Sequence, residues 1–201
     1  MTRTHESDTR VVRSRKALKS ALLRLLAEKP FSLIKTNEIA KSAGINRVTF
    51  YDHYSTKEEL LDEIVDDVLS EYGEIIEGSP ADAKGLASKD ELYQTITSTV
   101  RHIKKHADFY RIMLLTNGVP DLSNRLHEQM SASLHKTFRK ATMLSSSIEY
   151  DLYIDWIIGG AIGIYKNWLQ NGLRQTEEEI AKQMLIITTS SVRGLDRPRI
   201  R

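Results

Sequence analysis

Four short signatures punctuate this chain: T-K-E-E at 56–59, S-K-D-E at 88–91, S-S-I-E at 146–149 and T-E-E-E at 176–179. Each sets a hydroxyl residue three places before a glutamate. In that spacing each side chain accepts a hydrogen bond from backbone N–H groups at the other's end of the turn, which is how a helix is started. An apolar stripe of helical period follows each one. After Thr56 it runs Leu60, Leu61, Ile64, Val65, Val68, Leu69, Tyr72 and Ile76. No segment alternates as a strand would, and no internal repeat stands out. The expected fold is all-α with about nine helices: an N-terminal three-helix head, a long fourth helix, and a five-helix C-terminal body.

Punctuation between the signatures places the remaining elements. Residues 10–29 carry Val11, Leu18, Leu22, Leu25 and Leu26 on one stripe, and Pro30 closes that helix. Thr36 is the expected N-cap of a short helix over 37–43 that stops at Gly44. A second short helix over 47–53 follows. The stretch EGSPADAKGLAS (77–88) reads as a loop. Beyond it, helices are expected to about Ala107, through DFYRIMLL to about Gly118, from Pro120 to about Thr142, over the Trp156–Trp168 face, and from Thr176 to about Gly194. The expected domains are 1–57 and 58–201.

Charge separates the same two parts. Residues 1–57 hold 12 Lys/Arg against 5 Asp/Glu, whereas 58–201 hold 17 against 22. A basic excess confined to one end suits a nucleic-acid footprint, although a solvated basic face would look the same. There is no cysteine, which removes disulfides and thiolate chemistry and fits a reducing cytoplasm. The polar start MTRTHESDTRVVRSRK has no signal-peptide core. The longest apolar run, WIIGGAIGIY (156–165), is about half a membrane span, so a buried helix and no membrane partner are expected.

Residues 37–53 fit a helix-turn-helix. Ala40 supplies the small contact where two helices cross, and Gly44 tolerates the left-handed turn. Ile39, Ala43, Ile45 and Phe50 are the apolar positions. Asn46, Arg47, Val48, Thr49, Asp52 and His53 are then left exposed on the second helix, where base edges in a major groove could be met.

The stretch IAKSAGINRVTFYDHYSTKEELL (39–61) resembles the DNA-binding head of the TetR family of bacterial transcriptional regulators. Ile39–Ala40, Ala43–Gly44–Ile45, Thr49, Phe50–Tyr51, Tyr54, Lys57–Glu58 and Leu60 carry the resemblance. It implies that Thr36, Tyr51, Tyr54 and Lys57 lie at or near DNA phosphates and that Arg47, Val48 and Thr49 face bases. For Tyr54, packing in the core is an equal alternative. Position 48 is often Gly, Ala or Pro in that family; Val48 suggests an apolar contact such as a thymine methyl. The expected protein is thus a repressor that binds a pseudo-palindromic operator as a dimer and is released by an effector in its body. A regulator answering to a protein partner, an activator, or a small helical enzyme are the alternatives.

The body resembles the family less closely. Gly159, Gly160, Ala161 and Gly163 would let another backbone approach, and Ile154, Ile158, Ile162, Leu185 and Ile187 offer apolar surface, so a homodimer is expected there. An aromatic and methionine set (Tyr93, Phe109, Tyr110, Met113, Tyr153, Trp156, Tyr165 and Trp168) is a candidate ligand pocket, with ordinary core packing as the alternative. His102 and His106 stand one turn apart beside Lys104 and Lys105. A solvated face is the expectation, with no metal and no cofactor. No Walker glycine loop, G-x-S-x-G or G-x-G-x-x-G occurs, and HEQMS (127–131) lacks the second histidine of H-E-x-x-H, so no enzyme is expected.

Overall fold

A computed structural model describes residues 3–79, 88–115, 122–138 and 149–195. Within them lie nine α-helices and one 3-10 turn, and no strand. The all-α expectation holds. The chain forms two compact units, one built on Met1–Val68 and the other on Leu69–Leu114 with Asp121–Arg201.

In the first unit, α1 (Arg3–Glu28) starts earlier than the apolar stripe suggested. Leu18, Ala21, Leu22 and Leu26 form its buried face, while Val11 stays partly exposed. After Pro30 comes the 3-10 turn Phe31–Leu33, and then α2 (Thr36–Ala43), which packs on α1. This helix begins one residue sooner than expected, so Lys35 rather than Thr36 is its N-cap. The Glu38 carboxylate accepts from the Lys35 backbone N–H at 2.9 Å. Ile39 and Ala40 are buried.

Gly44, at φ +66°, closes α2. Its N–H donates to the Lys41 carbonyl and that of Ile45 to the Ala40 carbonyl, the paired bonds of a Schellman end. The next helix, α3 (Arg47–His53), is capped by Asn46, whose Oδ1 accepts from the Val48 N–H at 3.0 Å. Its fully buried Phe50 fixes it to the unit's core.

The helix α4 (Lys57–Glu77) starts as its signature requires: Thr56 Oγ1 accepts from the Glu59 N–H at 3.1 Å. The Glu59 carboxylate returns to the Ser55 N–H at 2.7 Å. Leu60, Leu61, Ile64, Val65 and Val68 are buried. Arg15 and Lys19 of α1 pair with Glu63, and Lys19 also with Asp67. These ties explain why the unit extends to Val68 instead of stopping where α4 starts.

The second unit takes the rest of α4, with Leu69, Tyr72 and Ile76 buried. To it are added α5 (Lys89–Lys105), α6 (Ala107–Leu115), α7 (Leu122–Phe138), α8 (Tyr150–Gln170) and α9 (Glu177–Leu195). The boxes at Ser88 and Thr176 form as expected. Ser88 and Glu91 exchange bonds at 2.6 and 3.2 Å, and Thr176 and Glu179 do so at 2.8 and 3.2 Å. Three residues of the S-S-I-E signature, most of the 77–88 loop, Pro120 and Thr142 lie outside the described residues.

In this unit α5 packs on α9 and α7 on α8. Gly73 lets α4 approach α7, since a Cβ there would stand 2.9 Å from Gln129 Nε2 and 3.0 Å from Ser133 Oγ. Among the described residues no helix is long and apolar enough to cross a membrane.

Candidate nucleic-acid interface and the interior of the body

Asn46 holds the first turn of α3 so that Val48 stands 66% exposed beside exposed Arg47 and half-buried Thr49. An apolar side chain that open, at the start of a short helix, is not there for its own core. Tyr51 is partly exposed as well. Its hydroxyl lies 3.3 Å from Thr36 Oγ1 and 3.4 Å from an Arg47 guanidinium nitrogen, which donates to it. The Arg47 guanidinium also covers the Tyr51 ring at 5.4 Å. Together these contacts draw the tyrosine hydroxyl's pKa below its ordinary value, the Thr36 hydrogen bond first and the Arg47 bond second.

A surface groove runs past this cluster, lined by Ile34, Lys35, Thr36, Asn37, Arg47, Ser55, Thr56, Lys57 and Glu58. It brings together the N-termini of α2 and α4, where backbone N–H groups lack intrahelical acceptors and the helix dipoles favour an anion. Lys57 is half-buried at its edge. Its ammonium donates to the carbonyls of Phe31 and Ile34, both at 2.8 Å, and sits 4.5 Å from the centre of the Phe31 ring. Two of an ammonium's three donors therefore hold the 3-10 turn in place.

Two of the expected contact residues are tied back to α1. Tyr54 is only 1% exposed, packs against Phe50, and accepts from Arg15 Nε at 3.2 Å. This is the core alternative: extended backbone after α3 turns the ring inward, away from any phosphate surface. His53 is half-buried, with Nε2 2.6 Å from Ser14 Oγ of α1. Sequence reasoning missed both α1 partners because nothing local points from 14 or 15 to 53 or 54.

In the body, the aromatic set divides. Phe109, Tyr110, Tyr165 and Trp168 are buried, and three of them spend their polar atoms internally. Tyr110 OH meets His102 Nε2 at 3.0 Å, Tyr165 OH donates to Thr99 Oγ1 at 3.1 Å, and Trp168 Nε1 donates to the Gln175 carbonyl at 3.0 Å. Tyr93 and Tyr153 are half-buried. Trp156 is 47% exposed and stacks on Tyr153 at 6.2 Å. The side chain of Met113 lies outside the described residues.

The expected interface set divides too. Ile154, Ile158 and Leu185 are buried within their own unit, because α8 and α9 turn those faces toward α7 and α5. Gly159, Gly160 and Gly163 are exposed with open space above them, Ala161 and Ile162 are half-buried, and Ile187 is exposed. Leu152, Trp156, Gly159, Gly160 and Gly163 fall at helical spacing on one side of α8. Leu152 and Trp156 there, and Ile186 and Ile187 on α9, are exposed large apolar residues that periodicity alone did not separate from the core.

His102 overturns the solvated-face expectation. It is 2% exposed, on the same side of α5 as Thr99 and Ile103, with its ring against Tyr72 and Tyr110. The neighbouring lysines face outward, so their charge gave a misleading signal. Glu71 of α4 joins the two histidines: His106 Nε2 lies 2.9 Å from one carboxylate oxygen, and His102 Nδ1 3.5 Å from the other without a hydrogen bond. Burial, then the charge of His106, push His102 down to about 4. Burial opposes ionisation of Glu71, but bonds from Lys105 and His106 outweigh it and hold the carboxyl at about 2.

An exposed reading helix in a helix-turn-helix unit, carried on one chain with a helical body, is the layout of a helix-turn-helix transcriptional regulator. Residues 18–64 match the model for bacterial regulatory proteins of the tetR family, and residues 90–190 match that for a transcriptional regulator C-terminal region. This chain belongs to the TetR family of bacterial transcriptional regulators.

It is 29% identical over 181 residues to the HTH-type transcriptional regulator YxbF of Bacillus subtilis (strain 168). That match covers 89% of this chain but 45% of YxbF, so the chain spans about half the length of that relative. It is 26% identical to the HTH-type transcriptional repressor KstR2 of Rhodococcus jostii (strain RHA1), covering 81% of this chain and 83% of that one. Among solved structures, native NalD, described as the secondary repressor of the MexAB-OprM multidrug efflux pump in Pseudomonas aeruginosa, shares the fold. Its TM-score is 0.68 at 18% identity, over 90% of this chain and 96% of that one.

Proposed function

We propose that this protein is a cytoplasmic repressor that binds a pseudo-palindromic DNA operator as a homodimer and leaves it when an effector binds the body. The observation that carries the reading is the α3 surface. Arg47 and Val48 stand open on a capped helix with half-buried Thr49 next to them, beside a groove at the N-termini of α2 and α4. In this reading Thr36, Tyr51 and Lys57 position the protein on phosphates, and the α3 residues read bases, with Val48 against a thymine methyl. Asn46 contributes through its amide nitrogen, since its oxygen caps α3. His53, held by Ser14, sits at the margin.

The exposed stripe from Leu152 to Gly163 on α8, with Ile186 and Ile187 on α9, supports a second copy as the dimer partner, because a two-fold operator calls for a two-fold protein. That KstR2 and NalD are described as repressors supports the sign of regulation. The half-buried Tyr93 and Tyr153 are the body aromatics left with open surface for a small apolar effector outside the α8 stripe.

A binding-site selection tests the reading. Wild type should enrich a two-fold sequence with half-sites about one or more helical turns apart. Thr49→Ala should change the preferred bases. Gly160→Trp, at a position where an added Cβ meets nothing within 4 Å, should give monomers by light scattering and lose operator binding. Enrichment of no sequence, or a wild-type monomer at micromolar concentration, would overturn it.

A further inference from the structure

We propose that Glu71, His102 and His106 form a binding site for a divalent first-row transition-metal ion, zinc-like in chemistry, at the edge of the body, with only His102 fully buried. Their ligand atoms all lie within 4.8 Å of one another. His106 Nε2 to Glu71 Oε2 is 2.9 Å and His102 Nδ1 to Glu71 Oε1 is 3.5 Å. Ligands about 2.0–2.2 Å from a tetrahedral ion stand about 3.3–3.6 Å from each other, so side-chain adjustments of about an ångström or less separate this arrangement from a coordination sphere. Two imidazoles and one carboxylate select ions such as Zn²⁺, Co²⁺ or Ni²⁺ over Mg²⁺ or Ca²⁺, which take all-oxygen shells.

A second observation points the same way. His102 is almost wholly buried, and its Nδ1 has no hydrogen-bond partner although it faces the cluster. A buried polar atom left so is unfavourable unless something fills the place. Its other nitrogen is engaged by the Tyr110 hydroxyl at 3.0 Å. If Nε2–H donates there, the Nδ1 lone pair is fixed toward Glu71, as a second-shell partner does for a metal-bound histidine. Tyr72 packs edge-on to the same ring and excludes water.

The rival cation is Lys105, whose ammonium donates to Glu71 Oε1 at 2.6 Å. Its side chain is 60% exposed and can swing into solvent. Three protein ligands leave a fourth position for water. The metal site itself does not depend on the DNA reading.

The test is a titration of the full-length protein, stripped with a chelator, with Co²⁺ and separately with Zn²⁺. One Co²⁺ per chain should bind with the intense visible bands of a low-symmetry tetrahedral site, and Zn²⁺ should displace it. His106→Ala and Glu71→Gln should each weaken binding by about 10-fold or more, on the scale of losing a ligand or its immediate support. Lys105→Gln should tighten it by removing the competing cation. His127→Ala, which alters an exposed pair with Asp155, should change nothing. His106 is partly exposed, so its variant should keep the wild-type circular dichroism spectrum and report on binding alone. Absence of Co²⁺ bands, or binding that His106→Ala and Glu71→Gln leave unaltered, would overturn the assignment and leave Lys105 as the group that neutralises Glu71.

Discussion

Lys57→Met separates two jobs that the structure gives to one side chain. The ammonium joins the carbonyls of Phe31 and Ile34 and lies over the Phe31 ring. Methionine keeps most of the stem and removes the charge. A hydrogen bond to a charged group contributes about 1.5–3 kcal/mol, and the ring contact about 0.5–1 kcal/mol near solvent. The side chain is half-buried, so water replaces part of what is lost, and the expected destabilisation of the first unit is about 2 kcal/mol. A unit of this size has only several kcal/mol in total. Amide exchange in the 3-10 turn and the start of α2, where the Ile34 N–H donates to the Phe31 carbonyl, should therefore accelerate about 30-fold. If Lys57 also meets a phosphate, the slope of log affinity against log salt should shrink by about 0.9, alike for all sequences. Unaltered exchange would refute the bridging role. An unaltered slope, measured where the variant is still folded, would refute the phosphate role.

Three further perturbations follow from the same geometry. Gly44→Val should destabilise the helix-turn-helix by about 1–2 kcal/mol in a urea melt, from backbone strain alone, because a Cβ at φ +66° meets open space. Tyr165→Phe should cost about 1–3 kcal/mol, read by tryptophan fluorescence since both tryptophans lie in the second unit; Thr99 Oγ1 keeps its own bond to the Ile96 carbonyl, but the buried Tyr72 hydroxyl loses its bond to Tyr165. Burial opposes the Glu63 carboxylate, yet bonds from Lys19 and Arg15 hold its pKa below the ordinary 4.5. The stability it supplies is thus complete above pH 4.5 and lost as pH falls through the lower folded value; Glu63→Gln should flatten that part of the acid unfolding curve of the first unit.

What the sequence alone determined was local. Helix starts at Thr56, Ser88 and Thr176 were legible because a capping box is an interaction within four residues, and the stop at Gly44 because a left-handed turn singles out glycine. The helix-turn-helix followed from the same short-range spacing, and the family from the resemblance carried by residues 39–61 and the matches over 18–64 and 90–190. Tertiary packing decided which face of each helix turned inward. Tyr51 and Tyr54 are three residues apart and alike in chemistry, yet one is exposed beside Arg47 and the other is sealed beside Arg15 of α1. Ile158 and Gly159 are neighbours on α8, one wholly buried and one open. His102 and His106 looked like part of a charged surface until Glu71, over thirty residues earlier in the chain, was brought against them. Hydrophobic burial acts on whole faces in three dimensions. A periodic stripe therefore announces a helix, while the partner that covers it, and the polar groups enclosed with it, come from elements the stripe does not mention.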